Sequence, residues 1–161
     1  FPLPWEEDVR ATVSVPQDEN GRSFYTIPIS PRGRSSSDAI IAGAVKSKTI
    51  RLDGKIDLRS KIKPDDGIAF VDPKVGVVAA GIVAKVNWTP RHKEDRFPLE
   101  LQFKQAQDFH RKPFKFSSAT IGRLESYRAY DIPDAQKEIV SVPRAIHKND
   151  FRMVTKRALK V

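Results

Sequence analysis

Apolar residues in this chain are gathered into short runs separated by turn residues, and the richest stretch is Ile62 to Val86, IKPDDGIAFVDPKVGVVAAGIVAKV. The charged turn Lys63-Pro64-Asp65-Asp66-Gly67 predicts the start of a short strand, Ile68 to Val71. A second turn at Asp72-Pro73-Lys74 leads to a longer β-branched strand, Val75 to Val86, which completes a hairpin. Asn87 to Arg96 reads as a basic loop, followed by a strand over Phe97 to Phe103. Upstream, Ser23 to Ile29 alternates as a strand, with Pro28 marking an edge or an end. Ser30 to Ser37, SPRGRSSS, is a polar loop. Ser37 or Asp38 can cap a short helix over Ala39 to Lys46. Thr49 to Leu52 and Ile56 to Leu58 read as short strands around the Asp53-Gly54 turn. Ser118 to Ser126 is a candidate helix, and the last twenty or so residues carry weak helical patterning. A strand-rich middle with one or two short helices predicts an α+β domain, a small closed barrel and not a parallel sheet.

The chain has 161 residues, 39% hydrophobic and 30% charged, enough for one domain with a sizeable core. The division read from the pattern is an N-terminal arm over 1–22, a barrel over 23–125 and a basic extension over 126–161. Trp5 anchors the arm, and the extension packs on the barrel or leads to a linker. The start at Phe1, without Met, predicts a domain of a longer parent protein with other domains. The apolar run around Val75 to Ala84 is too short and too interrupted by glycine to cross a bilayer. The acidic start, Glu6-Glu7-Asp8, is unlike a signal peptide. There is no cysteine, so disulfides and thiolate chemistry are excluded, and a cytoplasmic setting is the expectation.

The formal net charge is +9, and its distribution matters more than its size. Residues 1–20 are acidic. Cations gather in 32–63 (Arg32, Arg34, Lys46 and Lys48 among them), in 91–115 (Arg91, Lys93, Arg96, Arg111 and Lys112 among them) and again in 144–160. Cationic zones set between apolar strands point to nucleic acid, because each phosphate neutralised releases counterions. A generally basic surface that only aids solubility is the competing reading. The loop from Ser30 to Ser37 suits phosphate contact through side chains and backbone N–H groups, but it lacks the spacing and the Gly-Lys-Ser/Thr ending of a P-loop. The tail from Arg144 to Lys160 reads as a further backbone contact or as a linker.

The order SFYTIPI, polar loop, short helix, KPDDGIAFV, GVVAAGIVAKV, Trp-containing loop and RFPLELQF resembles the YTH and EVE branch of the PUA-like barrels. Gly67 to Val71, Ala80-Gly81-Ile82-Val83 and Phe97-Pro98-Leu99 fill three motif positions of that branch, across about residues 23 to 125. The resemblance implies a reader of flipped or single-stranded, often methylated, bases held in an aromatic pocket. Such domains occur alone and as specificity modules of McrB-type modification-dependent restriction systems. An extruded base loses its stacking and needs an aromatic face to replace it. Trp88, directly after the Gly81 strand, stands where these domains place a cage aromatic, with Ser30, Tyr25 and His92 as further candidate pocket residues. Packing is the competing role for Trp88, and Tyr25 or Phe70 reads equally as core. The chain has Val45-Lys46-Ser47-Lys48 where the YTH pattern places a Trp after the first helix.

Catalytic readings find less support. His92, His110 and His147 are far apart, no His-x-Glu cluster is present, and neither a Gly-x-Ser-x-Gly elbow nor a cysteine nucleophile exists. Pro64-Asp65 followed by Gln102-Phe103-Lys104 loosely resembles the Pro-Asp…(Asp/Glu/Gln)-x-Lys core of Mg²⁺-dependent nucleases. Turn chemistry explains Asp65 as well, and Lys104 reads equally as a phosphate contact. The expectation is a non-catalytic nucleic-acid-binding domain with no cofactor and no metal. A protein-interaction domain of a ribonucleoprotein or replication assembly is the alternative from another class.

Overall fold

The computed structural model describes residues 16–30, 36–55, 61–109 and 111–161. Six strands form one mixed sheet: β1 (Phe24–Pro28), β2 (Thr49–Leu52), β3 (Gly67–Asp72), β4 (Gly76–Trp88), β5 (Leu99–Asp108) and β6 (Arg144–Ile146). Their order is β2-β5-β4-β3-β1-β6, with β1 parallel to β3 and every other pair antiparallel. The helices are α1 (Ser37–Ser47), α2 (Ser118–Ile121), α3 (Ile132–Ser141) and α4 (Lys148–Val154), with a 3-10 turn at Glu125–Tyr127. Ser36 caps α1 by accepting from the Ala39 N–H, one residue earlier than the pattern suggested.

The α+β expectation holds, but among the described residues the sheet is open, with β2 and β6 at its edges, where a closed barrel was expected. The physical reason lies in the central strands, which are apolar on both faces. Tyr25, Ile27, Ile68 and Phe70 point to one side and pack with Ile41 and Ala44 of α1. Phe24, Ala69 and Val71 point to the other and meet Ile121, Leu124, Ile139 and Phe151. A barrel has one interior, whereas a sheet buried on both faces needs helices on both sides.

The hairpin 67–88 forms as expected and then extends. Ala84 is the extra residue of a bulge, since Val83 pairs with Phe103 and Lys85 with Gln102. Bulges bend a strand, and below this one β4 pairs only with β5, carrying Trp88 past the end of β3. Gly81 sits just above the bulge, where a Cβ would lie 2.7 Å from Phe103 Cδ1. β5 runs five residues past the expected end at Phe103. The expected helix over 118–126 breaks at Gly122 into α2 and the 3-10 turn. The expected strand at 56–58 lies outside the described residues. Residues 126–161 supply α3, the edge strand β6 paired with β1, and α4, whose Phe151 ring lies 4.9 Å from that of Phe24.

Candidate nucleic-acid interface

Trp88 ends β4 and is 52% exposed, the most exposed large hydrophobic residue described. The loop after it is held from beneath. Arg51, on β2, donates through Nε to the Phe97 carbonyl at 2.9 Å and through Nη1 to Glu100 at 3.1 Å, and its Nη2 reaches the Thr89 carbonyl and Asp95. Asp95 accepts from the Arg91 backbone N–H (2.9 Å), the Arg91 guanidinium (3.0 and 2.9 Å) and the Phe97 N–H (3.0 Å). Only 1% of its side chain is exposed. The Arg91 guanidinium, with these backbone donors, holds the Asp95 carboxyl far below the usual carboxylate range. The strand ends are tied by Thr89 N–H to Pro98 O (2.8 Å) and Gly54 N–H to Arg96 O (3.1 Å).

Gly54 gives the indole its seat. A Cβ there would stand 3.0 Å from both Trp88 Cη2 and Pro98 Cγ. Around this platform Arg91, His92, Lys93 and Arg96 are exposed. Arg96 pairs with Asp53 at 3.3 Å, and its guanidinium lies 5.4 Å from the Phe97 ring centroid. The Lys55 N–H, with Arg96 beside it, lowers the Asp53 carboxyl below its ordinary value. The arrangement is a rigid loop with an aromatic face beside cations, two of which already hold carboxylates. Such a surface can stack a base and offer N–H donors to phosphate.

Trp88 and His92 thus share one loop, but the other two pocket candidates are elsewhere. Tyr25 is fully buried among the core residues under α1, with its hydroxyl donating to the Lys61 carbonyl at 3.3 Å. As an inward position of a strand covered by a helix, it cannot wall an open pocket. Ser30 is exposed, but it follows β1 beside Val71, near the turn into β4, while Trp88 closes the other end of that 13-residue strand. Phe70 is likewise core.

The phosphate candidates are also dispersed. Arg91, Lys93 and Arg96 are exposed on the loop that follows Trp88. Lys46 and Lys48 are exposed at the end of α1, beside the opposite end of β2 from Gly54. Arg111 and Lys112 follow the far end of β5. Arg32 and Arg34 lie outside the described residues. Arg51, Gly54 and Asp95 were not singled out as site residues. A single Asp flanked by Arg91, Lys93 and Arg96 was the available signal for the last.

Lys104 and Asp65 do meet, as an exposed ion pair between β5 and the turn before β3. Gln102 is engaged with Glu100 at 2.9 Å. Among the described residues no group of three or more His, Asp or Glu is placed to hold a metal ion. No helix among them is long and apolar enough to cross a membrane. Comparison of the chain with protein-family models, with curated proteins and with solved structures gives no match.

Proposed function

We propose that this domain is a non-catalytic nucleic-acid-binding module of a longer cytoplasmic protein, related to the YTH and EVE branch of the PUA-like fold. It stacks a flipped or single-stranded base, methylated or unmodified, on Trp88 while Lys93, His92, Arg91 and Arg96 face the sugar-phosphate chain. The observation that carries the reading is a half-exposed indole at the end of a strand, on a loop whose shape is fixed by Arg51 and Asp95. A preformed aromatic face costs little ordering on binding, which is what a base-stacking platform needs. The element order strand, helix, hairpin, loop and strand that the resembling branch implies occurs here with one further strand, β2, between the helix and the hairpin. The net charge of +9 supports a polyanionic partner.

The test is binding to a panel of methylated and unmodified DNA and RNA oligonucleotides. Trp88→Ala should weaken the bound oligonucleotide by about 1–3 kcal/mol; unchanged affinity would remove Trp88 from the interface. One specific contact favours a second reading, a Mg²⁺-dependent nuclease: Lys104 meets Asp65. Cutting that disappears in both Asp65→Ala and Lys104→Ala would establish it. Salt-insensitive binding to a protein partner, with no oligonucleotide bound, would point instead to the protein-interaction reading.

A further inference from the structure

Among the described residues, three guanidinium groups without a carboxylate partner gather at one cleft on segments other than the Trp88 loop. A cleft of about 460 Å³ opens between the turn at Arg123–Glu125 and one flank of α4, lined by Arg123, Arg152, Lys156 and Arg157 together with Asn149 and Asp150. Among the described residues the guanidinium groups of Arg123, Arg152 and Arg157 make no ion pair or hydrogen bond. By contrast, Arg91 and Arg96 in the loop after Trp88, and Arg51 on β2 beneath it, are all paired with carboxylates. Lys156 donates its ammonium to the Lys112 carbonyl, which fixes the side chain without cancelling its charge. The cleft also holds two carboxylates, the exposed Glu125 and Asp150, against its four cations, and Asp150 is occupied by the Glu125 N–H (2.9 Å), the Ser126 N–H (2.8 Å) and the Ser126 hydroxyl (2.5 Å).

The cations do not serve merely to satisfy the C-terminus of α4. Its last carbonyls already accept from backbone donors: Phe151 O from Thr155, Met153 O from Lys156 and Arg152 O from Arg157. Arg123 lies on a different segment altogether. The backbone is also unusual here, since Lys156 (φ 54°) and Arg157 (φ 57°) are both left-handed. Glycine or asparagine occupies such helix-ending positions at least cost. Two cations in succession there trade local backbone ease for charge at the rim of the cleft.

We propose that this cleft is a second phosphate-binding site, which takes the sugar-phosphate backbone of a nucleic acid strand. The lining positions 149, 152 and 153 lie on one flank of α4 and Lys156 and Arg157 follow just past its last residue, so three cations from one short segment, with Arg123 from the turn, converge on the cleft. The inference rests on the nucleic-acid reading above. It assigns to α4 and the Arg123 turn the backbone grip that Arg91 and Arg96, already paired, supply only by giving up carboxylates.

The experiment is fluorescence anisotropy of labelled single-stranded 20-mers, DNA and RNA, titrated with the full chain between 50 and 300 mM KCl. The proteins are the wild type, Trp88→Ala and the double variant Arg152→Gln/Arg157→Gly. Losing two phosphate contacts should make the slope of log K against log[salt] shallower by about 1.4 and weaken binding roughly ten- to thirtyfold at 100 mM salt. Trp88→Ala should lower affinity with the wild-type slope. Because Arg157→Gly suits a left-handed backbone, the double variant should keep the wild-type melting temperature. A double variant that binds with wild-type slope and affinity overturns the cleft while leaving the nucleic-acid reading in place. Failure of the wild type to bind any 20-mer overturns that reading, and the cleft with it. Inorganic pyrophosphate is the control for a small ligand: raising the melting temperature of the wild type but not of the double variant, with oligonucleotide binding unchanged between them, would replace the strand by a small phosphate.

Discussion

Gly54 shows how much one missing methyl group can control. Its Cα lies under the edge of the indole, and alanine there would place a carbon 3.0 Å from both Trp88 and Pro98. Pro98 is buried and tied to Thr89 through its carbonyl, so the exposed indole is the partner able to move. Gly54→Ala is therefore expected to lift Trp88 away, shifting its emission while leaving the unfolding free energy within about 1 kcal/mol. The measurement belongs in a Trp5→Phe background, so that one indole reports. Unchanged emission would mean that the ring is not seated on Gly54. Sequence pattern alone could place Trp88 at a strand end beside cations, because a β-branched run stops there. It could not show that Gly54, far away in sequence, supplies the space, nor that Tyr25 points inward. The facing of Tyr25 depends on a one-residue register, which is set by pairing with Ile68 of β3.

At the level of elements, the turn before β3 does more than reverse the chain. Asp66 is buried and accepts from the Ser23 N–H (2.9 Å), the Lys63 N–H (3.0 Å) and the Lys63 ammonium (3.1 Å), fixing the start of β1 against the start of β3. Asp66→Ala leaves two backbone donors without their acceptor and should cost about 2–4 kcal/mol in denaturant unfolding. A loss under about 1 kcal/mol would show that water replaces the carboxylate. The hairpin was legible because its turns carry Pro, Asp and Gly, whose backbone preferences are local. Helix α3 was missed even though Asp131-Ile132-Pro133 is a recognisable start and Ala135 and Ile139 fall on one face. The open sheet was missed for a related reason. Continuous apolar runs such as Gly67–Val71 signal strands covered on both faces, but they do not reveal which later segments provide the second cover.

For the whole molecule, the acid limit of the Trp88 loop follows from Asp95. Its carboxyl is held below its ordinary value by Arg91, so the contribution is fully present above the unfolded carboxylate pKa of about 3.9 and is lost as pH falls through the depressed native value. Trp88 emission should therefore be constant from pH 7 down to about pH 4 and change only below it. A transition between pH 5 and 6 would exclude Asp95 as the group that locks the loop. Charge was the most readable whole-chain property, yet its pairing was not. Arg91 and Arg96 look like free phosphate ligands in the sequence until Asp95 and Asp53 are found against them.

The pairing of β6 with β1 joins residues 144–146 to residues 24–26, and Phe151 closes over Phe24. The region over 23–125, read from the sequence as the whole barrel, therefore lacks an edge strand and much of the cover over one face of its sheet. A fragment ending at residue 125 should stay unfolded or aggregate, which circular dichroism and gel filtration would show; a cooperative thermal transition in that fragment would refute this. During synthesis the consequence is one of timing. Until the segment through Val154 has emerged from the ribosomal tunnel, the nascent chain exposes Phe24 and the free side of β1, so ribosome-bound intermediates of this domain are candidates for chaperone capture.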